Sequence, residues 1–229
     1  MNNRNKYVII VAGGRGLRMG GDIPKQFMLL EDRPVLMHTI QAFYDYDPKM
    51  HIVLVLPYEQ IAYWENLRTD YGFSIPHRIV SGGETRFHSV KNGLSLIIKQ
   101  LNEDANVLIG VHDGVRPLVD IKLITRVYEQ ADAKNAAYPV IPVIDSMRKF
   151  TDSVDRSQYF LVQTPQVFKA NILIEAYKQD YKAEFTDDVS VVEVLGICCP
   201  ATVEGSRENI KITTPVDLVI AQALMKCKI

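Results

Sequence analysis

The chain has 229 residues and a mass of 25.9 kDa, with 47% hydrophobic and 23% charged residues. Those proportions exclude extended disorder and collagen-like or low-complexity builds. Lys plus Arg number 26 against 27 Asp plus Glu, a formal charge of -1. A near-neutral chain is a poor candidate for non-specific nucleic-acid or membrane-surface binding, and a bound anion must be met by a local cluster of cations.

Cys198, Cys199 and Cys227 contain no Cys-x-x-Cys spacing. That excludes a disulfide framework and the usual zinc and redox motifs, and it suits a reducing compartment. The longest apolar runs, 8–12 and 52–56, fall far short of the roughly 18 residues of a membrane span. The first is also too short for a signal-peptide core. A cytoplasmic protein is the expectation.

In chain order, residues 7–12 read as a buried strand, followed by a Gly- and Arg-rich loop and a helix over 35–43. A β-branched run at 52–56 precedes helical spacing over 58–71. A short strand at 78–80, a loop at 81–85 and a helix over 87–101 follow. A third apolar run at 107–111 leads into a helix over 122–133. This alternation predicts an α/β fold with a mainly parallel sheet flanked by helices, its strands apolar because both faces are covered.

Near Tyr138 the rhythm breaks, and 138–162 holds short β-rich pieces without helical period. Such an excursion is either a surface hairpin or an arm that pairs with a second copy. Helices resume at 170–181 and 187–195. A last strand at 210–213 leads into a helix from Pro215, with Thr214 as its N-cap. No linker composition or repeat divides the chain, so 1–229 reads as one domain carrying an arm. Cys198 and Cys199 are expected to be buried near the last strands.

The strongest local signal follows the first strand: Ala12-Gly13-Gly14-Arg15-Gly16-Leu17-Arg18-Met19-Gly20-Gly21, then Asp22-Ile23-Pro24-Lys25. Its glycines let backbone N–H groups approach a ligand, as phosphate cradles require, and Arg15, Arg18 and Lys25 add charge for a polyphosphate. The dinucleotide pattern fails at Met19 and the Walker pattern fails at Asp22. A second signal closes another strand: His112-Asp113-Gly114-Val115-Arg116-Pro117. Strand ends of open α/β sheets face the ligand crevice. Asp113 could then steer a metal-bound phosphate or a sugar hydroxyl, and Arg116 a phosphate, unless the two form an internal salt bridge.

Gly82-Gly83-Glu84-Thr85-Arg86 with Ser89 makes another tight loop entering a helix N-terminus. Gln163-Thr164-Pro165-Gln166 and Thr186-Asp187-Asp188 read as polar caps near helix starts, and Lys211 is unusual within an apolar strand. No serine, zinc-protease or cysteine nucleophile signature is present. Nucleotidyl transfer needs none, because a phosphomonoester is already an anionic nucleophile at neutral pH. Positioning and electrostatic stabilisation carry such a reaction.

The runs at 12–27, 82–90, 112–117, 155–168, 185–190 and 209–215, in this order, resemble the sugar-phosphate cytidylyltransferases. Within them they resemble the branch that acts on 2-C-methyl-D-erythritol 4-phosphate in the non-mevalonate route to isoprenoids. The resemblance covers nearly the whole chain. It implies a three-layer, Rossmann-like nucleotidyltransferase domain with a protruding β-arm, and transfer of CMP from CTP to the polyol phosphate with release of pyrophosphate. By it Arg18, Lys25 and Lys211 are catalytic, while Ala12, Gly13, Gly14, Gly16, Gly83, Glu84, Ser89 and Asp113 meet CTP. Asp113, Arg116, Ser146, Arg156, Thr164 and Thr186 fall on the second-substrate side. Arg156 would reach the partner's site in a homodimer built through the arm, and Mg²⁺ would be held mainly by the CTP phosphates.

Gly13 stands where many relatives carry alanine, Glu84 where aspartate is common, and Ser146 where threonine is. A ribitol-5-phosphate cytidylyltransferase is the rival within the same architecture. The Asp187-Asp188-Val189-Ser190 run resembles the methylerythritol branch more closely. A nucleotide-binding regulator without catalysis is the rival of another class, and such a protein is expected to lack Lys25 or Lys211.

Overall fold

The computed structural model describes residues 5–14, 23–101 and 106–227. Strand β1 (Lys6–Val11) is followed by a small hairpin of β2 (Leu29–Leu30) and β3 (Arg33–Pro34), then helix α1 (Val35–Tyr46). Next come β4 (His51–Leu56), α2 (Tyr58–Asp70), β5 (Arg78–Ser81), α3 (Arg86–Ile98), β6 (Leu108–Asp113) and α4 (Ile121–Lys134). β1 pairs in parallel with β4 and β6, and β4 with β5.

Side chains of these strands alternate between two cores. Val8, Ile10, Leu54 and Leu56 pack with α1, α2 and α4, while Tyr7, Ile9, Val53 and Val55 pack on the opposite face with α3. This is the period-2 consequence of a pleated strand covered on both sides, and it yields three layers. Gly110 is required where it stands, because a Cβ there would lie 2.5 Å from the Tyr128 hydroxyl. That hydroxyl donates to the Tyr7 carbonyl at 2.7 Å and pins α4 to the sheet.

The second half adds β7 (Ala136–Pro142), a hairpin of β8 (Arg148–Lys149) and β9 (Asp152–Ser153), β10 (Phe160–Val162) and β11 (Gln166–Lys169). Helices α5 (Ala170–Ala176) and α6 (Asp188–Glu193), strand β12 (Ala201–Glu204) and helix α7 (Pro215–Cys227) complete the chain. β11 lies antiparallel to β6 and β7, β10 is antiparallel to β7, and β12 is parallel to β7. The sheet order is β10-β7-β11-β6-β1-β4-β5, with β12 on β7. The α/β class and its mainly parallel centre agree with the sequence reading.

Of the stretch 138–162, residues 138–142 and 160–162 belong to the main sheet. Residues 143–159 leave it and carry β8, β9 and a 3₁₀ turn at Arg156–Gln158. Phe150 at the tip has a positive φ of 55° and is 96% exposed.

Four local expectations are corrected. No strand forms at 210–213: Ile210 N bonds back to Glu208 O, and Ile212 N reaches across to Val115 O at 2.9 Å. Ile212 is drawn into a third small core with Leu30, Val35, Val115, Leu118 and Ala221, which seats α7 against the hairpin β2–β3. The helix expected to run to residue 181 ends at Ala176, where Tyr177 leaves helical dihedrals. Residues 163–165 join β10 to β11 and start no helix of their own; Gln166, the first residue of β11, caps the distant α6 instead, its Oε1 accepting from Asp188 N and Val189 N. Cys199 is exposed and Cys198 only half-buried, because β12 begins after them at a sheet edge.

At the last helix Pro215 opens α7 as expected. The polar cap, however, runs back from Asp217. Its Oδ2 accepts from the N–H groups of Thr213 and Thr214 at 2.9 and 2.7 Å and from both hydroxyls.

Candidate active site

A cavity of about 250 Å³ opens at the C-terminal ends of β1, β5 and β6, where open parallel sheets bind ligands. Ala12, Gly13 and Gly14 leave β1 along one wall, and Gly83 and Glu84 with Thr85, Arg86 and Ser89 of the α3 start form the other. Asp113, Lys25 and Lys211 complete the part of the lining that carries charge.

The β5–α3 loop is held from within. Ser89 Oγ accepts from Gly83 N at 3.1 Å, and Thr85 caps α3 by accepting from His88 N. The loop cannot carry a side chain at residue 83, because a Cβ there would lie 2.5 Å from His88 Cβ. Across the cavity Lys25 sits in a 3₁₀ turn, 8% exposed, with its stem beside Gly14: a Cβ on Gly14 would lie 3.4 Å from Lys25 Cε. The next residue, Gln26, is fully buried and donates from Nε2 to the Ala12 carbonyl at 2.9 Å. That bond fixes the end of β1 relative to the lysine.

Asp113 is the floor of the site and the meeting point of three cations. Its Oδ2 lies 3.0 Å from Lys211 Nζ and 3.3 Å from Arg116 Nε, and its Oδ1 lies 3.7 Å from Arg86 Nε. Burial works to raise its pKa, but the fields of Arg86, Lys211 and Arg116 overcome this and hold it well below the usual carboxylate range. Lys211 reaches the carboxylate because Ile212 beside it is anchored under α7.

Arg116 also donates from Nη1 to the Asn209 carbonyl at 2.7 Å, so it forms the internal pairing considered above and fixes Asp113. Thr164 supports the same residue by accepting from Asp113 N at 3.1 Å. His112 is buried between the Thr164 hydroxyl at 3.0 Å and the Arg116 carbonyl at 3.3 Å. Burial dominates there and brings the imidazole pKa down to about 3, keeping it neutral. It is a satisfied structural residue, as a lone histidine beside an apolar run suggests.

Of the residues expected to be catalytic or to meet CTP, Ala12, Gly13, Gly14, Gly83, Glu84, Ser89, Asp113, Lys25 and Lys211 come together around one cavity. Gly16 and Arg18 lie outside the described residues. Ser146, Arg156 and Thr186 are exposed and are not among the described residues lining the cavity. Arg156 donates to the Ile144 carbonyl within the excursion.

Sequence reasoning missed Gln26 and Arg86 as parts of the site. Arg86 makes a two-pronged pair with the buried Asp188, 2.6 Å at its shorter contact. Burial opposes its charge, but Asp188 and Asp113 outweigh that and raise its pKa above the ordinary arginine value. An arginine directly after Gly82-Gly83-Glu84-Thr85 was a visible signal; its partner far along the chain was not.

Chemically the cavity offers a glycine-lined wall, a lysine beside it, and a carboxylate kept charged among cations. That set suits a polyphosphate and an anionic second reactant. Among the described residues no group of three or more His, Cys, Asp or Glu side chains is placed to hold a metal ion. The carboxylates of Glu84 and Asp113, both in the described lining, are the oxygen donors a divalent cation such as Mg²⁺ takes.

The family model of 2-C-methyl-D-erythritol 4-phosphate cytidylyltransferase matches residues 7–227. A protein of that name from Azobacteroides pseudotrichonymphae is 54% identical over 226 residues, covering 97% of this chain and 99% of its own. One from Phocaeicola vulgatus is 54% identical over 227 residues, covering 96% and 100%. The crystal structure of the Francisella tularensis protein of that name superposes with a TM-score of 0.77 at 33% identity, over 96% of this chain and 99% of the other. The chain belongs to the 2-C-methyl-D-erythritol 4-phosphate cytidylyltransferase family.

Proposed function

We propose that the chain transfers CMP from CTP to 2-C-methyl-D-erythritol 4-phosphate, giving 4-diphosphocytidyl-2-C-methyl-D-erythritol and pyrophosphate. It is a nucleotidyltransferase by family. The observation that carries the reaction to this site is the convergence of Lys25, Lys211 and Asp113 on one glycine-walled cavity. Cytosine and ribose lie along Ala12, Gly13, Gly83, Glu84 and Ser89, where backbone groups and one hydroxyl can read them. Lys25, with Arg18, steadies the triphosphate. The acceptor phosphate, largely dianionic at neutral pH, attacks the α-phosphorus in line with the departing pyrophosphate. Lys25 and Lys211 counter the charge that builds on the α-phosphoryl oxygens. Mg²⁺, carried in by CTP, neutralises charge on the same phosphates when bound.

The second substrate enters beside Asp113, with Arg116 and Thr164 holding that carboxylate and Thr186 and Ser146 bordering the approach. The same reading makes residues 143–159 the dimer arm, with Arg156 directed to the partner subunit's acceptor phosphate. Ile144, Phe150, Phe160 and Leu161 support it, because each is a large apolar side chain left exposed on or beside this excursion. Free thiols at Cys198, Cys199 and Cys227 suit a cytoplasmic enzyme. No helix among the described residues is long and apolar enough to cross a membrane.

The test is pyrophosphate release from CTP and Mg²⁺ with methylerythritol 4-phosphate and ribitol 5-phosphate compared side by side. Strong preference for the first is expected. Preference for the second would keep the mechanism and move the substrate, and release with neither would sink the catalytic reading.

A further inference from the structure

We propose that Arg86 is a positioning residue that links the nucleotide wall of the cavity to the loop bearing Thr186. The inference rests on the reading of Asp113 and Thr186 as the second-substrate side.

Arg86 opens α3, one residue after the cap at the end of the glycine loop. Its Nη1 and Nη2 reach the two carboxylate oxygens of Asp188 at 3.0 and 2.6 Å, while Nε points to Asp113 Oδ1 at 3.7 Å. Asp188 is fully buried and is the first residue of α6, two positions after Thr186. It also accepts from the Tyr177 hydroxyl at 2.6 Å. Gln166 closes the circuit: its Oε1 accepts from Asp188 N and Val189 N, both at 3.0 Å, and its Nε2 donates to Asp187 at 2.9 Å. Gln166 follows Thr164 by two residues, and Thr164 holds Asp113 N.

The contacts thus run from Asp113 through Arg86 and Asp188 to Gln166, and the chain from Gln166 back to Thr164 completes the ring beside Asp113. Only a guanidinium can close it, because its fork satisfies one carboxylate while Nε faces another in a fixed direction. A lysine ammonium keeps the charge and loses that simultaneous geometry.

The experiment is steady-state kinetics with both substrates varied, together with thermal melting, for Arg86→Lys, Arg86→Gln, Asp188→Asn and the pair Arg86→Gln/Asp188→Asn. The KM for the polyol phosphate is expected to rise about 10-fold in Arg86→Gln and less in Arg86→Lys, with the KM for CTP moving less than about 3-fold. The double variant is expected to be no worse than the poorer single one, since both break one link. A fall in melting temperature with both KM values unchanged would overturn the proposal in favour of a purely structural pair. A larger rise in the KM for CTP would overturn it in favour of direct nucleotide contact.

If Arg86→Gln does not fold, Arg86→Lys and Asp188→Asn decide by the same criteria. Asp113→Asn and Thr186→Ala test the underlying reading separately. If neither moves the polyol phosphate KM, that reading fails; if they do and the Arg86 variants do not, only the positioning role fails.

Discussion

The Lys211 ammonium stands 3.0 Å from Asp113 Oδ2, on a carboxylate that also faces Arg86 and Arg116. Lys211 comes from an irregular segment and Asp113 from the end of β6, so the site depends on α7 being seated correctly. Asp113→Asn keeps the shape and removes the charge, leaving three cations without their common partner. The loss at pH 7 is expected to be about 2 kcal/mol, below the figure for a fully enclosed pair because Lys211 is 42% exposed. The depressed folded-state pKa makes this contribution present above the ordinary carboxylate range and lost as pH falls through the lower folded value. Urea midpoints of the two proteins should differ by a constant amount from pH 8 to pH 5. A difference that vanishes already at pH 6 would show that Asp113 is not the group responsible.

Lys25 lies along Gly14 and is 8% exposed, so little solvent competes with it for a bound phosphate. Lys25→Ala should lower kcat by about two orders of magnitude, the usual cost of one preorganised transition-state donor. Single-turnover measurement with saturating CTP checks this, and near-normal turnover would remove Lys25 from the reaction.

Gly83 and Gly13 make a paired test of the cavity walls. An alanine Cβ at residue 83 would meet His88 Cβ at 2.5 Å, so the loop must move. At residue 13 the nearest atoms are those of Pro57 at 3.9 Å, an ordinary contact. Gly83→Ala should cost about 1–3 kcal/mol of stability and raise the KM for CTP, whereas Gly13→Ala should be close to neutral in both. Equal effects at the two positions would contradict the geometry.

His112 should stay neutral over the whole working range. Its Nδ1 faces the Thr164 hydroxyl and its Nε2 the Arg116 carbonyl, which one neutral tautomer satisfies at both ends. With a folded pKa of about 3 against about 6.5 in the unfolded chain, the unfolded state binds the extra proton between those values. Stability therefore falls with acidification in that window, by about 1.4 kcal/mol per pH unit from this group. The His112 imidazole resonances should not shift between pH 8 and pH 5, and a midpoint near 6.5 would refute the assignment.

The parallel half of the fold was legible because its strands are continuous apolar runs separated by stretches of helical period. The antiparallel half was less so. β11 reads Gln166-Val167-Phe168-Lys169, too short for a period, and its place depends on pairing with β6. Residues 210–213 alternate like a strand, yet Ile212 is claimed by the core under α7 and no ladder forms. At the site, local motifs located Lys25, Gly83 and Asp113. Arg86 escaped because its partner Asp188 is joined to it only by the fold, across two helices that share one core.

The arm gives the most demanding prediction. Arg156 is exposed on a 3₁₀ turn, away from its own cavity lining, while Phe150, Ile144 and Leu161 leave apolar surface exposed on or beside the same excursion. In a two-fold dimer the same patch serves both subunits, so an Arg156 that completes the partner's site leaves each site dependent on two chains. Arg156→Ala should then raise the KM for the polyol phosphate far more than that for CTP. Mixing Arg156→Ala subunits with Lys25→Ala subunits should restore activity, because each mixed dimer contains one site with both residues intact. Random exchange makes half of the dimers mixed and half of their sites complete, so recovery to roughly a quarter of the wild-type rate is expected. Measuring turnover before and after subunit exchange separates the cases. Activity that stays at the level of the inactive parents would mean that Arg156 serves its own chain or none.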